Sequence, residues 1–132
     1  MFRCSLSNSE VWYGLIKADV NELELVDNCL LRRILSAPAC SPTPLLYLEL
    51  GCLPLRYIIM TRRLMYLQYL LQEKSDSLLY KCFKAQSEHP VKGDWVEKIK
   101  KDIDEVNLDI PLDEIKVMST EAYKQKVSST VQ

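Results

Sequence analysis

The sequence predicts an all-α domain, a compact bundle of about five to seven helices with no substantial sheet. The chain has 132 residues, of which 48% are hydrophobic and 27% are charged, so it can form a core and has the composition of a globular protein. Apolar residues recur every three to four positions along most of its length, which is helical spacing. Proline and glycine separate these segments, and no run of residues has the pattern of a strand.

The first long helix is predicted from Asp19 to Ser36. Asp19 suits the N-terminus of a helix. The apolar positions that follow at helical spacing are Val20, Leu23, Val26 or the neighbouring Asp27, Leu30, Leu31 and Ile34. Prolines in the stretch from Ala37 to Pro44 then end the helix. A short helix is expected from Leu45 to Leu50, followed by Gly51 as its stop.

The second long helix is predicted from Pro54 to about Lys74. Its inward face is a stripe of large apolar residues: Tyr57, Met60, Leu64, Leu67 and Leu71, widened by Ile58 and Leu70. The exposed side is different, because basic and aromatic residues alternate along it. This side carries Arg62, Tyr66, Tyr69 and Glu73, with Arg56 and Arg63 to one side.

Four shorter helices are expected in the rest of the chain. The first covers Ser75 to Gln86, with Leu78, Leu79, Cys82 and Phe83 facing inward. The next runs from Trp95 to Val106, with Asp94 as a plausible cap and a narrow stripe of Trp95, Ile99, Ile103 and Val106. The last two cover Leu112 to Met118 and Thr120 to about Val127, and residues 128–132 are expected to fray.

The charge of the chain is unevenly distributed. The formal net charge is −1, which argues against a protein that coats nucleic acid by bulk electrostatics. Residues 1–55 have four basic and six acidic residues, residues 56–86 have six and two, and residues 87–132 have seven and ten. Positive charge is therefore concentrated in the middle, where a local anion-binding patch is possible.

The five cysteines, Cys4, Cys29, Cys40, Cys52 and Cys82, have wide and unrelated spacings, and the chain has one histidine. This pattern predicts neither a disulfide framework nor a metal site, and favours mostly buried free thiols in a reducing compartment. The N-terminus has no apolar segment of the kind found in secretory signals. The apolar run LYLELGCLPLRYIIMTRR is interrupted by Glu49, Pro54 and Arg56, well short of the ~20 residues of a membrane span. An intracellular protein without membrane contact is expected.

No catalytic or cofactor motif is visible. Phosphate-cradling glycine loops are implausible in a chain with three glycines, and His89 has no nucleophile paired with it by motif. The acidic run from Asp102 to Glu105 is the nearest candidate for a metal site, but a solvated helix face is the favoured interpretation. The chain is therefore expected to be no enzyme and to need neither cofactor nor metal.

Five residues form the one chemically suggestive cluster: Arg56, Arg62, Arg63, Tyr66 and Tyr69. Arginine guanidinium groups bind phosphates, and tyrosine rings stack on bases, so the cluster is a candidate nucleic-acid surface. The alternative is an ordinary amphipathic helix whose tyrosines pack on neighbouring side chains and whose arginines are solvated.

Longer stretches of the sequence resemble a known family. They are NSEVWYGL, LELVDNCLLRRIL, LYLELGCLPLRYIIMTRRLMYLQYLL and YKCFKAQSEHPVKGDWVEKIKKDID, of which LYLELGCLPLRYIIMTRRL and PVKGDW are the most specific. They resemble the region after the palm of reverse transcriptases in animal non-LTR (LINE-like) retrotransposon polyproteins, over about Ser7 to Val127. The resemblance implies the end of a palm in residues 1–18, thumb and post-thumb helices in residues 19–127, and a tail in residues 128–132.

The resemblance also implies what the chain lacks and what it contacts. The family's polymerase activity depends on adjacent aspartates in the palm, and this sequence has no such pair. The chain thus looks like a non-catalytic piece of an RNA-directed DNA polymerase, and a template–primer RNA/DNA duplex is the implied partner of the Arg56 to Tyr69 face. A helical protein-interaction module is the rival, with Trp12, Tyr13 and Trp95 as an apolar patch for a palm domain or for self-association. A degenerate retroelement remnant without a selected function is the third hypothesis.

Overall fold

The all-α class is confirmed by a computed structural model of the chain, which describes residues 8–12 and 16–131. These residues form seven α-helices and one short 3-10 helix, Ser9–Val11, and no strand. The α-helices are α1 (Lys17–Ile34), α2 (Thr43–Leu50), α3 (Leu55–Gln72), α4 (Leu78–Glu88), α5 (Trp95–Glu105), α6 (Leu112–Val117) and α7 (Thr120–Val131).

The described residues divide into two compact units, and the division falls inside α3. Residues 16–59 form the first unit, with α1, α2 and the start of α3. Residues 8–12 and 60–131 form the second unit, with the 3-10 helix, the rest of α3 and α4 to α7. α7 continues through residues 128–131, and the segments proposed at 1–18, 19–127 and 128–132 stay predictions.

The first unit is built by α1 packing against α2. The Asp19 carboxylate accepts a hydrogen bond from the backbone N–H of Ile16 at 2.9 Å, which satisfies a donor at the start of α1. α2 ends at Gly51, whose φ of 59° is the left-handed conformation that costs glycine least. The Tyr47 hydroxyl donates to Asn28 Oδ1 at 2.7 Å and joins the two helices. The buried residues of α1 are Asp27 and Leu31, whereas Val26 and Ile34 are exposed, so only part of the predicted apolar face is covered.

The second unit has a core around α3. The predicted inward positions Met60, Leu64, Leu67, Leu70 and Leu71 are buried, and Tyr57 and Ile58 of the first unit are half-buried. Further core residues come from α5, α6, α7 and the α5–α6 connection: Val96, Ile99, Leu108, Ile115, Tyr123 and Val127. The Tyr123 hydroxyl donates to the Leu64 carbonyl at 2.9 Å, which attaches α7 to α3 by a buried hydrogen bond.

The fourth helix begins at Leu78, because Ser77 Oγ accepts the N–H of Tyr80 at 3.1 Å and caps the helix. α4 packs against α5 and has no buried residue. Leu78 is 78% exposed, and Leu79 and Cys82 are also exposed, so the predicted inward placement of these three residues is wrong. The helix is amphipathic as predicted, but only part of its apolar face is covered, with Phe83 half-buried against Trp95.

The positions of the described cysteines contradict the expectation of mostly buried thiols. Cys29, Cys40, Cys52 and Cys82 are free and exposed, not mostly buried, and Cys4 lies outside the described residues. Within the described part of the chain, no helix has the length and apolar character to cross a bilayer. The same residues contain no group of three or more histidine, cysteine, aspartate or glutamate side chains suited to a metal ion.

Candidate nucleic-acid interface

All five predicted site residues lie on α3, but the structure gives them different environments. Arg56 belongs to the first unit, and the other four residues belong to the second. Helical periodicity places Arg62, Tyr66 and Tyr69 along one side of the helix, since they are spaced by four and three residues. That side is half-buried at Arg62 and Tyr66 and exposed at Tyr69.

Arg56 is held by Glu24 of α1. Its Nε and Nη2 atoms donate to the two carboxylate oxygens at 2.9 Å and 2.6 Å, and its backbone N–H donates to Oε1 at 3.2 Å. The side-chain hydrogen bond from Arg56 is the main reason why the pKa of Glu24 lies below its ordinary value, although burial opposes it. Arg56 therefore links α1 to the start of α3, and its charge is matched by a carboxylate.

Arg63 is buried, which makes its predicted place on the exposed side wrong. Its Nε lies 2.6 Å from Oδ2 of Asp102, with the two side chains 5% and 1% exposed. The Arg63 N–H is not aligned for a hydrogen bond, so the contact is an ion pair only. Lys98 Nζ lies 3.8 Å from the other Asp102 oxygen. Burial raises the pKa of Asp102 despite both cations, and a phosphate cannot reach Arg63 without displacing this pair.

The burial of Asp102 corrects the interpretation of residues 102–105 as a solvated face. A signal for both buried charges is present in the sequence. Arg63 follows Ile59 and Met60 by one turn, and Asp102 lies one turn from both Ile99 and Val106. Opposite charges at the centre of two apolar stripes indicate a buried pair, because each charge needs a partner away from water.

Arg62 has a polar partner in the 3-10 helix. Its Nη1 atom donates to Oγ of Ser9 at 3.4 Å, and Ser9 itself is fully buried. The distance is long for a hydrogen bond, and the guanidinium remains half-buried at the edge of the unit. The Ser9 hydroxyl therefore helps to position the Arg62 guanidinium at this edge.

Tyr66 and Tyr69 form an aromatic stack with one accessible end. Their ring centroids are 5.7 Å apart and their planes differ by 21°. Tyr66 also meets the ring of Trp95 edge to face at 5.8 Å, and burial raises the pKa of its hydroxyl with a smaller contribution from the charge of Glu10. Tyr69 is 54% exposed, and its hydrogen bond to Glu73 raises the pKa of its hydroxyl.

A pocket that the sequence did not predict adjoins this stack in the second unit. It has a volume of about 230 Å³ and an aromatic wall. Its lining includes Tyr66, Leu79, Cys82, Phe83, Gln86 and Trp95. The indole N–H of Trp95 donates to the Glu10 carbonyl at 2.7 Å, which holds one wall in place. Of the other residues of the predicted apolar patch, Trp12 is half-buried and Tyr13 lies outside the described residues.

No protein-family model, curated protein or solved structure matches this chain significantly. The similarity to retrotransposon reverse transcriptases therefore stays a hypothesis that depends on the quoted motifs.

Proposed function

We propose that this chain is a non-catalytic helical region of a non-LTR retrotransposon reverse transcriptase, and that it contacts template–primer nucleic acid through α3. The observation that carries the proposal is the aromatic stack of Tyr66 and Tyr69, which has an exposed outer ring. An unpaired base that stacks on Tyr69 extends this arrangement by one ring. Bases inside a duplex are already stacked, so the fitting ligand is a hybrid with a single-stranded overhang.

Charge supports the same assignment. Arg62 lies on the same side of α3 as the stack and within two turns of Tyr69, at a distance along the helix suited to a neighbouring phosphate. The stretch 56–86 also carries six basic and two acidic residues in a chain whose net charge is −1. Arg56 and Arg63 contribute to the fold through Glu24 and Asp102, so the binding role proposed here is limited to Arg62, Tyr66 and Tyr69.

A titration of a labelled RNA–DNA hybrid with a short single-stranded overhang tests the proposal. Fluorescence anisotropy at low salt measures the affinity. Tyr69→Ala is expected to weaken binding by about 5- to 150-fold, because one base–aromatic stack contributes about 1–3 kcal/mol. Arg62→Ala should weaken it on the order of tenfold through the loss of one phosphate contact.

Two variants serve as matched controls. Tyr69→Phe keeps the ring and loses only the hydroxyl, so it should bind like the original chain. Arg33→Ala removes one exposed arginine of α1 and tests whether any loss of positive charge has the same effect. Equal affinity for all four variants and the original chain, or no binding at low salt, would refute the proposal.

The exposed face of α4 favours a second candidate function, a helical protein-interaction module. α4 has no buried residue, and Leu78 and Leu79 are 78% and 38% exposed. The partner of this face would be a palm domain of the same polyprotein or a second copy of the chain. Sedimentation velocity across a concentration series tests the second copy, and Leu78→Glu should abolish any association through this face. Association without nucleic-acid binding would favour this function over the first.

A further inference from the structure

We infer that the pocket beside Tyr66 receives one unpaired nucleobase of the bound strand. This inference rests on the proposed function, since it assigns a second base-binding position to the same surface. The pocket and the Tyr66–Tyr69 stack share Tyr66. When one base of a nucleic-acid strand stacks on Tyr69, a neighbouring base of that strand therefore lies close to the pocket. All of these residues belong to the second unit.

The size and walls of the pocket favour a flat ring. Its volume of about 230 Å³ is below the ~300–1,000 Å³ usual for sites that bind drug-sized ligands, which suits a single base. Three aromatic side chains line it, from Tyr66, Phe83 and Trp95, and the Phe83 and Trp95 rings meet at 6.4 Å and 74°. Aromatic walls at different angles offer both face and edge contacts to an inserted ring.

The polar groups around the pocket favour a base over a phosphate. Gln86 brings a side-chain amide with both a donor and an acceptor to an otherwise mainly apolar lining. The pKa of the Tyr66 hydroxyl is raised mainly by burial and less by the charge of Glu10, and negative charge of this kind disfavours an anion in the pocket. Glutamine amides pair well with the N6 and N7 atoms of adenine, and adenine is therefore the preferred base.

The positive charge of the surrounding sequence favours a nucleic-acid strand over an uncharged ligand. α4, which forms one side of the pocket, has Lys81 and Lys84 exposed on either side of Cys82. Glu88 lies 3.8 Å from Lys84 and offsets part of its charge. The stretch 56–86 as a whole still has four more basic than acidic residues. Positive side chains near a base-sized pocket complement the phosphates that accompany a nucleobase.

Cys82 allows the occupancy of the pocket to be measured in the unmodified chain. Its thiol is exposed and lines the pocket, while Cys29, Cys40 and Cys52 are exposed thiols of the first unit. The rate of alkylation by iodoacetamide at each cysteine can be followed by peptide mass spectrometry. A saturating hybrid with an adenine-containing overhang is expected to slow alkylation of Cys82 about tenfold and to leave the rates at Cys29, Cys40 and Cys52 unchanged.

The ligand is then varied one nucleotide at a time. An abasic site at the overhang position that enters the pocket should restore the alkylation rate of Cys82, and abasic sites elsewhere should not. Gln86→Leu should remove the preference for adenine over uracil at that position, which is expected to be about tenfold in the original chain. Gln125→Leu, an exposed glutamine of α7, is the matched control.

The possible outcomes separate this inference from the proposed function. Tyr69-dependent binding without protection of Cys82 overturns the pocket assignment and leaves the proposed function intact. No binding of the hybrid at low salt overturns both. Protection of Cys82 that depends on protein concentration and not on the oligonucleotide assigns the pocket to self-association and also overturns the inference.

Discussion

At the scale of single residues, the ion pair of Arg63 and Asp102 holds two opposite charges away from water. Both side chains are at least 95% buried, and the pair lacks a well-aligned hydrogen bond. Asp102→Asn leaves the Arg63 charge buried without its carboxylate partner, and the like charge of Lys98 lies close to the same site. We expect a loss of about 3–5 kcal/mol in the free energy of unfolding, measured by urea denaturation.

A double variant controls for that prediction. Arg63→Met combined with Asp102→Leu removes both charges and replaces them with apolar side chains. The double variant should be close to the original chain in stability, because apolar replacements of buried ion pairs are often neutral or stabilising. A double variant as unstable as Asp102→Asn would show that packing, not the uncompensated charge, explains the loss.

Asp27 is a second buried carboxyl, and its effect on stability depends on pH. Burial, with help from the charge of Glu24, raises the pKa of Asp27 above its ordinary value of 3.8. The folded chain therefore holds this proton more tightly than the unfolded chain. The stabilising contribution is complete below pH 3.8 and is lost as pH rises through the folded pKa. Asp27→Asn should raise the urea midpoint at neutral pH and bring no gain below pH 3.8.

Glu24 provides the opposite case on the same helix. Its pairing with Arg56 lowers the pKa of the Glu24 carboxyl from the ordinary value of 4.5. Its contribution is thus present above pH 4.5 and is lost as pH falls through the folded pKa. Glu24→Gln should lower the urea midpoint at neutral pH, with a difference that shrinks on acidification. Shifts of the same sign for Asp27→Asn and Glu24→Gln at neutral pH would contradict the two assignments.

At the scale of elements, Gln68 joins α3 to α6 and to Met118, which follows α6. Its buried amide donates to the carbonyls of Ile115 and Met118 at 3.3 Å and 3.0 Å. Gln68→Met keeps the approximate volume and removes both hydrogen bonds. We expect a loss of about 1–3 kcal/mol in unfolding free energy, together with faster hydrogen exchange of α6 and α7.

Gln72 is the matched control for Gln68, one turn along the same helix. Its amide also donates to two carbonyls, those of Lys116 and Met118, but Gln72 is exposed. Water can replace these bonds, so Gln72→Met should cost less than about 0.5 kcal/mol. Equal losses for the two variants would show that burial of the amide does not matter here.

The helices themselves were predictable because their signals are local. Gly51 ends α2 in the conformation expected of glycine, and helical spacing placed Leu64 and Leu67 in the core. What faces each helix is not a local property, so the exposed apolar face of α4 could not be predicted. In the candidate site, helical spacing alone puts Arg62, Tyr66 and Tyr69 on one side of α3. The apolar residues one turn from Arg63 and from Asp102 indicate buried charges, but the pairing itself joins positions that are 39 residues apart and is not a local property.

At the scale of the whole molecule, the distribution of charge limits how nucleic acid can bind. The net charge is −1, so long-range attraction of a polyanion by the chain as a whole is weak. Under the proposed function, binding is then expected to depend on local contacts. The stretch 56–86 has six basic residues, but Arg56 and Arg63 face Glu24 and Asp102, and Lys84 lies 3.8 Å from Glu88.

This distribution leads to a shallow dependence of affinity on salt. Under the proposed function, we expect at most three phosphate contacts from this stretch, made by Arg62, Lys74 and Lys81. Each contact contributes about 0.7–0.9 to the slope of log K against log salt, so a slope of about −2 to −3 is expected between about 50 and 200 mM salt. Arg62→Ala should make the slope shallower by about one unit, whereas Tyr69→Ala should lower the affinity at every salt concentration and leave the slope unchanged. A slope of about −5 or steeper would place most phosphate contacts outside α3 and α4, because this stretch lacks the cations to produce it.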